Sequence, residues 1–325
     1  MKAMNSKKIN VFLLTGFLGA GKTTLLNHIL EAKKAENNIV IENEFGKVSI
    51  DSRLVTCNYD SIFEMNNGCI CCSLDNDLVD VLARILSSEI RPDNLFIEAS
   101  GVADPGGIAA LFSQEEVSQF FDLKQITCIV DASCVEDWLE EIPEISRQLA
   151  AADVIVLNKK SMVTQTYLLS LEKLLQSLNS MAEIISVDHA NTPLEIFSGR
   201  QSLWTPQKAV LSNEKKAAHP LKSLLVETSV PFDKKMLLNQ LTMVLLISYH
   251  QVFRIKGVIW CYGEKLPFII QTHGKQVNIS TYTGENWPEY PLSQVIVIGK
   301  ELQQKPLGKL FKRAYWRETS ITEAE

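Results

Sequence analysis

The run Gly16-Phe17-Leu18-Gly19-Ala20-Gly21-Lys22-Thr23 fits the pattern G-x-x-x-x-G-K-[ST]. Such a stretch works only between the end of a strand and the start of a helix. There the glycines let backbone N–H groups turn inward on a polyphosphate at the positive end of the helix. With glycine near 7% of residues on average, a chance match in a chain this long arises on the order of once in a hundred. The flanks meet the requirement, because "INVFLL" at 9–14 precedes the run and Leu25, Leu26, Ile29 and Leu30 follow it at helical spacing. Gly16, Gly19, Ala20, Gly21, Lys22, Thr23 and Thr24 are therefore the nucleotide-binding candidates, with Lys22 on the β- and γ-phosphates and the Thr23 hydroxyl on Mg²⁺. The alternative is a glycine turn that only packs helix on strand.

The rest of the N-terminal part agrees with a P-loop NTPase domain. Between residues 9 and 198, short apolar runs alternate with helical periodicity: "NIVIE" (38–42), "NLFIEA" (94–99), "QITCIVDA" (125–132), "DVIVLN" (153–158) and "EIISV" (183–187). Several are apolar at consecutive positions, as strands covered on both faces of a parallel sheet are. Val79, Leu82 and Leu86 predict one intervening helix, capped by Asp75 or Asn76, and Leu168, Leu171, Leu174, Leu175 and Leu178 another. The expected fold class is α/β, with a doubly wound, mostly parallel sheet. Residues 200–220, with two prolines and no sustained period, read as a linker. Residues 221–317 follow as a smaller α+β domain, with strands near 222–229, 252–261, 267–272, 276–282 and 294–298, a helix over 233–248 and a basic helix over 301–315. Residues 318–325 are a tail. The expected domains are thus 1–199 and 221–317, and no internal repeat is visible.

Charge and cysteine usage narrow the function. Of 325 residues, 32 are Lys or Arg and 38 Asp or Glu, a net charge of −6, so no global positive field recruits nucleic acid or an anionic membrane. Apolar runs such as "VFLLTGFLGA" fall short of the roughly 18 residues of a membrane helix. Lys2, Lys7 and Lys8 ahead of an apolar stretch imitate a secretory leader, but the stretch runs into Gly-Lys-Thr-Thr with no cleavage site. The seven cysteines, three of them within four positions, read as reduced thiols in a cytoplasmic protein with one metal or redox site.

Two further constellations carry chemistry. The strand "NLFIEAS" ends in Glu98-Ala99-Ser100-Gly101. Glu98 is the Walker B candidate, holding Mg²⁺ through water, with Gly101 where a γ-phosphate sensor belongs. Lys22 and Glu98 are the catalytic candidates. Asp104, before Pro105, is as readily a turn residue as a functional group. "NNGCICCSL" places Cys69, Cys71 and Cys72 as C-x-C-C ahead of a helix start. Thiols there have depressed pKa values, and thiolates select soft or borderline metals. Metal binding, redox sensing and coincidental core cysteines are the three readings, and a metal would need a fourth ligand from elsewhere.

Together, "LLTGFLGAGKTTLLNHIL", "IENEFGKVSID", "NNGCICCSL", "IEASGVADP", "FRIKGVIW" and "VIVIG" resemble the CobW family of P-loop GTPases, relatives of the hydrogenase and urease nickel-insertion GTPases, and within it the YjiA-like members. The resemblance covers nearly the whole chain. It implies a GTP-hydrolysing metallochaperone that binds GTP and GDP with Mg²⁺, carries Zn²⁺ (or Co²⁺/Ni²⁺) and serves a client metalloprotein, with a homodimer as one option. It implies that Glu42 lies near the cysteines and adds an oxygen ligand, so that Glu42, Cys69, Cys71 and Cys72 form the metal set. It also makes residues 43–51 a switch-like loop. A P-loop phosphotransferase and a nucleotide-latched metal-binding adaptor are the competing classes. Two departures stand out. Only His219 remains where relatives carry a His-rich tract, and the guanine-reading N-K-x-D appears as Asn158-Lys159-Lys160-Ser161. Asn158 and Lys159 are the remaining base-site candidates. A neutral hydroxyl in place of the aspartate predicts weaker guanine selection, by about 10- to 150-fold, unless an acid from another loop replaces it.

Overall fold

The computed structural model describes residues 7–42, 62–64, 74–88, 90–198, 221–248, 250–282 and 291–317. The chain divides into two compact units. The first is built on seven strands: β1 (Ile9–Thr15), β2 (Asn38–Glu42), β3 (Ile62–Glu64), β4 (Asn94–Glu98), β5 (Phe121–Asp131), β6 (Val154–Asn158) and β7 (Glu183–Ser186). Their order is β3-β2-β4-β1-β5-β6-β7, with every neighbouring pair parallel. The helices are α1 (Lys22–Ala32), α2 (Leu74–Leu86), α3 (Pro105–Leu111), α4 (Glu115–Ser118), α5 (Val135–Glu141), α6 (Pro143–Ala151) and α7 (Gln165–Leu178).

Strand alternation sorts the core into two layers. Ile9, Val11 and Leu13 of β1, with Leu95 and Ile97 of β4, face the layer covered by α2 and α3. Phe12, Leu14 and Phe96 face the layer covered by Leu25, Leu26, Ile29 and Leu30 of α1. Strands β1 and β4 are therefore buried on both sides, which explains their continuous apolar runs. Phe12 and Phe96 stack at 5.2 Å between ring centroids, across the two central strands.

The second unit is antiparallel. Strands β8 (Leu221–Thr228), β9 (Val252–Ile259), β10 (Phe268–His273), β11 (Gln276–Thr281) and β12 (Ser293–Lys300) lie in the order β11-β10-β9-β12-β8. Helix α8 (Lys234–Ser248) buries Leu237, Leu241 and Leu245 in a core shared with Ile255, Val295 and Phe311, the last carried by α9 (Gln304–Arg313). Among the described residues no helix is long and apolar enough to cross a membrane.

The structure corrects the sequence reading in three places. Helix α2 buries Leu78, Leu82 and Ile85 (3%, 3% and 1% exposed), whereas Val79 and Leu86 are 42% and 37% exposed. Two apolar stripes overlap on this helix, and the i, i+4, i+7 stripe is the one that meets the sheet. The helix spans Leu74–Leu86, so Asp75 and Asn76, the expected cap candidates, lie within it. Strand β5 starts at Phe121, four residues before the expected 125, with a register shift against β1 between Val11 and Phe12. Asp122 and Lys124 had hidden that extension. The three-residue β3 carried no sequence signal.

Phe96 is fully buried on β4. Phe96→Ala is expected to destabilise the first unit by about 3–5 kcal/mol, read as a lower urea midpoint at unchanged slope.

Candidate nucleotide and metal site

Parallel strands deliver their C-terminal ends to one edge. There Leu14 of β1 pairs in register with Glu98 of β4, Thr15 with Cys128, and Asp131 with Asn158. The turn after β1 is fixed by steric exclusion. Gly16 sits at φ 139°, and a Cβ there would lie 2.1 Å from the Ile129 carbonyl oxygen. Gly21, at φ 109°, opens α1, and a Cβ there would meet Asn158 Nδ2 at 2.7 Å. No side chain caps α1 and its first turn holds no acid, so no capping side chain or carboxylate competes with an anion at this helix start.

Lys22 Nζ donates to the Phe17 carbonyl at 3.4 Å, inside the same loop. The Thr23 hydroxyl donates to Glu98 Oε1 at 3.0 Å, and Glu98 is buried. The two residues expected to share a metal ion are thus in contact. Gly101 brings the loop after β4 against the P-loop, since a Cβ at Gly101 would stand 2.8 Å from the Leu18 backbone nitrogen. Gln148 of α6, itself buried, secures that loop by donating to the carbonyls of Gly101 (3.0 Å) and Ala103 (3.2 Å). Asp104 resolves as structural: it accepts from Gly106 N to cap α3 and pairs with Arg147 at 2.7 Å.

The opposite flank holds the expected base-site residues. Asn158 donates through Nδ2 to the Ala20 carbonyl of the P-loop (2.9 Å) and accepts from the Ala190 N–H through Oδ1 (2.8 Å). Lys159 adopts φ 59° and donates to Asp131 Oδ2 at 2.6 Å. Burial pushes the Asp131 carboxyl up, but the bonds from Lys159 and from the Ser133 hydroxyl and N–H outweigh it and hold the group below its ordinary range. The Ser161 hydroxyl and N–H both donate to Asp188 Oδ1, at 2.8 Å and 2.9 Å. Asp188 follows β7 and is a residue that sequence reasoning missed.

For the metal set the described residues supply a backbone frame. Glu42 ends β2, in register with Glu98 on one side and with Glu64 of β3 on the other. Cys69, Cys71, Cys72 and the expected switch at 43–51 lie outside the described residues, as do the linker and the tail. Among the described residues no group of three or more His, Cys, Asp or Glu is placed to hold a metal ion. Burial pushes Cys128 up to about 12 and Cys261 to about 11. These are core thiols that stay protonated, not thiolate ligands.

The family models match both units. The CobW/HypB/UreG nucleotide-binding domain matches residues 10–186, and the cobalamin synthesis protein cobW C-terminal domain matches 221–315. The chain belongs to the CobW/HypB/UreG family. It is 32% identical over 314 residues to the zinc chaperone YjiA of Escherichia coli K12, covering 93% of this chain and 98% of that protein. A crystal structure of the Zn(II)-bound YjiA GTPase superposes with a TM-score of 0.72 at 27% identity, covering 96% of this chain and all of that one. A triple variant of the same relative, with one glutamate and two adjacent cysteines replaced by alanine, is also Zn(II)-bound and superposes equally well.

The sequence located Lys22, Thr23 and Glu98 because local motifs mark them. Asp188, Asp131 and Gln148 carry no motif. The one available signal was an acid at the end of a strand, Asp131, and another just past one, Asp188, in a chain whose base-reading aspartate is missing. Cys128 and Cys261 are expected to resist Ellman's reagent in the native protein at pH 8 and to react on unfolding. At a pKa of about 12 only about one Cys128 thiol in ten thousand is ionised at that pH.

Proposed function

We propose that this P-loop GTPase of the CobW/HypB/UreG family is a zinc metallochaperone, using GTP binding and hydrolysis to time the hand-over of zinc to a client metalloprotein. The observation that carries the reading is the pairing at the sheet edge. Glu98, bonded to the P-loop threonine, lies in register with Glu42, the strand-end residue of the metal set. Adjacent strands are about 4.8 Å apart, so nucleotide and cargo share one neighbourhood.

In this reading Lys22 offsets charge on the transferring phosphoryl group, and the N–H groups opening α1 bind the phosphates. Thr23 and Glu98 present a hydroxyl and a carboxylate 3.0 Å apart, a hard oxygen pair that suits Mg²⁺. Held there, Mg²⁺ would supply charge neutralisation to the phosphate chain. Zinc, the cargo, falls to Cys69, Cys71, Cys72 and Glu42. The YjiA triple variant replaces residues at the spacing of this set. Its replaced glutamate and the first of its two adjacent cysteines are 29 positions apart, the same spacing as Glu42 and Cys71. Because that variant still holds zinc, binding to the proposed set has to be measured by affinity and stoichiometry together. Reduced thiolates suit a cytoplasmic setting.

Lys22→Ala is expected to lower GTP turnover by about 10²- to 10³-fold, the loss typical when one preorganised donor is removed. Turnover equal to wild type overturns the P-loop assignment. Cobalt provides the readout for the cargo site. Thiolate charge-transfer absorption is expected in wild type and lost in the double variant Cys71→Ser/Cys72→Ser. Zinc affinity is expected to differ by about 5- to 150-fold between protein saturated with a non-hydrolysable GTP analogue and with GDP. Identical affinities would sink the coupled reading.

A further inference from the structure

We propose that Asp188, on the loop after β7, reads the guanine base in place of the aspartate that is absent from position 161, with Ser161 as its positioning residue. The inference rests on the GTP reading above. Residues 158–161 form the expected base-site segment, yet the fourth residue is a serine. The structure fills that deficit from another part of the chain. The Ser161 hydroxyl and N–H both end on Asp188 Oδ1, so a carboxylate stands directly on residue 161.

The loop that carries it is well fixed. Val187 N–H donates to the Leu157 carbonyl, Lys160 N–H to the Val187 carbonyl, and Ala190 N–H to Asn158 Oδ1. His189 and Ala190 both hold left-handed backbone, at φ 51° and 54°, a conformation that non-glycine residues keep only when their surroundings dictate it. Asn158 ties this loop to the P-loop through Ala20, which sets the carboxylate at a fixed place relative to the phosphate cradle.

The chemistry matches guanine. A carboxylate offers about four acceptor positions. Ser161 uses two, on Oδ1, and two remain for the N1–H and the exocyclic amino group at C2. Adenine presents an acceptor at N1 and no amino group at C2, so the same carboxylate repels it. The Ser161 N–H, and after it the hydroxyl, hold the Asp188 carboxyl below its ordinary pKa, which keeps it ionised at neutral pH. Charge-assisted bonds of this kind are worth about 10- to 150-fold in affinity.

The test exchanges the hydrogen-bond pattern of base and protein together. Xanthosine triphosphate carries a carbonyl at C2 where guanine carries its amino group, and an amide side chain can donate to that carbonyl. Affinities for GTP, XTP and ATP are measured by calorimetry with Mg²⁺ under reducing conditions. Asp188→Asn is expected to lose GTP affinity by about 10- to 150-fold and to gain XTP affinity, with ATP bound no more weakly than by wild type because the repelling charge is gone. Ser161→Ala is expected to lower the GTP-to-ATP ratio severalfold, and Ser161→Thr, which keeps the hydroxyl, to retain it. The swapped pair Ser161→Asp/Asp188→Ser is expected to recover guanine preference that Asp188→Ser alone loses. An Asp188→Asn protein with the wild-type GTP-to-XTP ratio, or a swapped pair no more selective than Asp188→Ser, overturns the inference while leaving the GTPase reading standing. Wild type that binds no triphosphate overturns both.

Discussion

A sheet whose strands all run one way delivers every strand-to-helix turn to a single edge, and the candidate site of this protein depends on that constraint. The P-loop leaves β1, Glu98 closes β4, Glu42 closes β2, and Asn158 closes β6, all at that edge and tied by backbone register. Burial on both faces makes the register rigid, because a slip of one residue would exchange the two core layers. The strands can therefore serve as fixed mounts, and the chemistry is placed by which residue ends each strand. This is the crevice at the C-terminal ends of a doubly wound sheet, beside the strand from which the chain winds out in both directions.

Asn158 is the tie on which the base flank turns. One side-chain amide accepts from the loop after β7 and donates to the P-loop, so two segments more than a hundred residues apart are held by a single buried group. Three non-glycine residues around it, Lys159, His189 and Ala190, keep left-handed backbone. Each such residue costs about 1–3 kcal/mol. The offset comes from the Asn158 bonds and from the buried Asp131 carboxylate that receives Lys159. Removing the Asn158 amide would leave the Ala20 carbonyl and the Ala190 N–H without this partner while the strain remained.

Local order explains what could be read in advance. The P-loop, Glu98 and most strands were legible because each is written in a few consecutive residues whose neighbours decide its conformation. Helix α2 was half legible. Its sequence carries two overlapping apolar stripes, and only packing into the core layer that holds Ile41 and Ile97 selects Leu78, Leu82 and Ile85. The role of residue 161 was not legible in its own segment. Ser161 is read correctly only beside Asp188, and that adjacency is created by β6 pairing with β7, a tertiary fact absent from either segment. Gln148 follows the same rule: nothing in α6 announces that its amide secures the loop at Gly101.

The strand order also assigns the three tasks of the proposed site to successive stretches of one edge. Phosphate binding lies at the centre, on β1 and β4. The Glu42 position lies on β2 to one side, and Asn158, Ser161 and Asp188 follow β6 and β7 on the other. From β2 to β6 is four strand spacings, about 19 Å, well beyond the Debye length of about 8 Å at physiological ionic strength. From β2 to β4 is one spacing. The cargo position is thus placed to sense the charge of the phosphate chain and is remote from the base. Affinity common to all triphosphates comes from the P-loop, and discrimination comes from a carboxylate held on a separate loop. A chain built this way can place the residue that reads the base on either loop without disturbing the β2–β4 pairing beside the phosphate cradle.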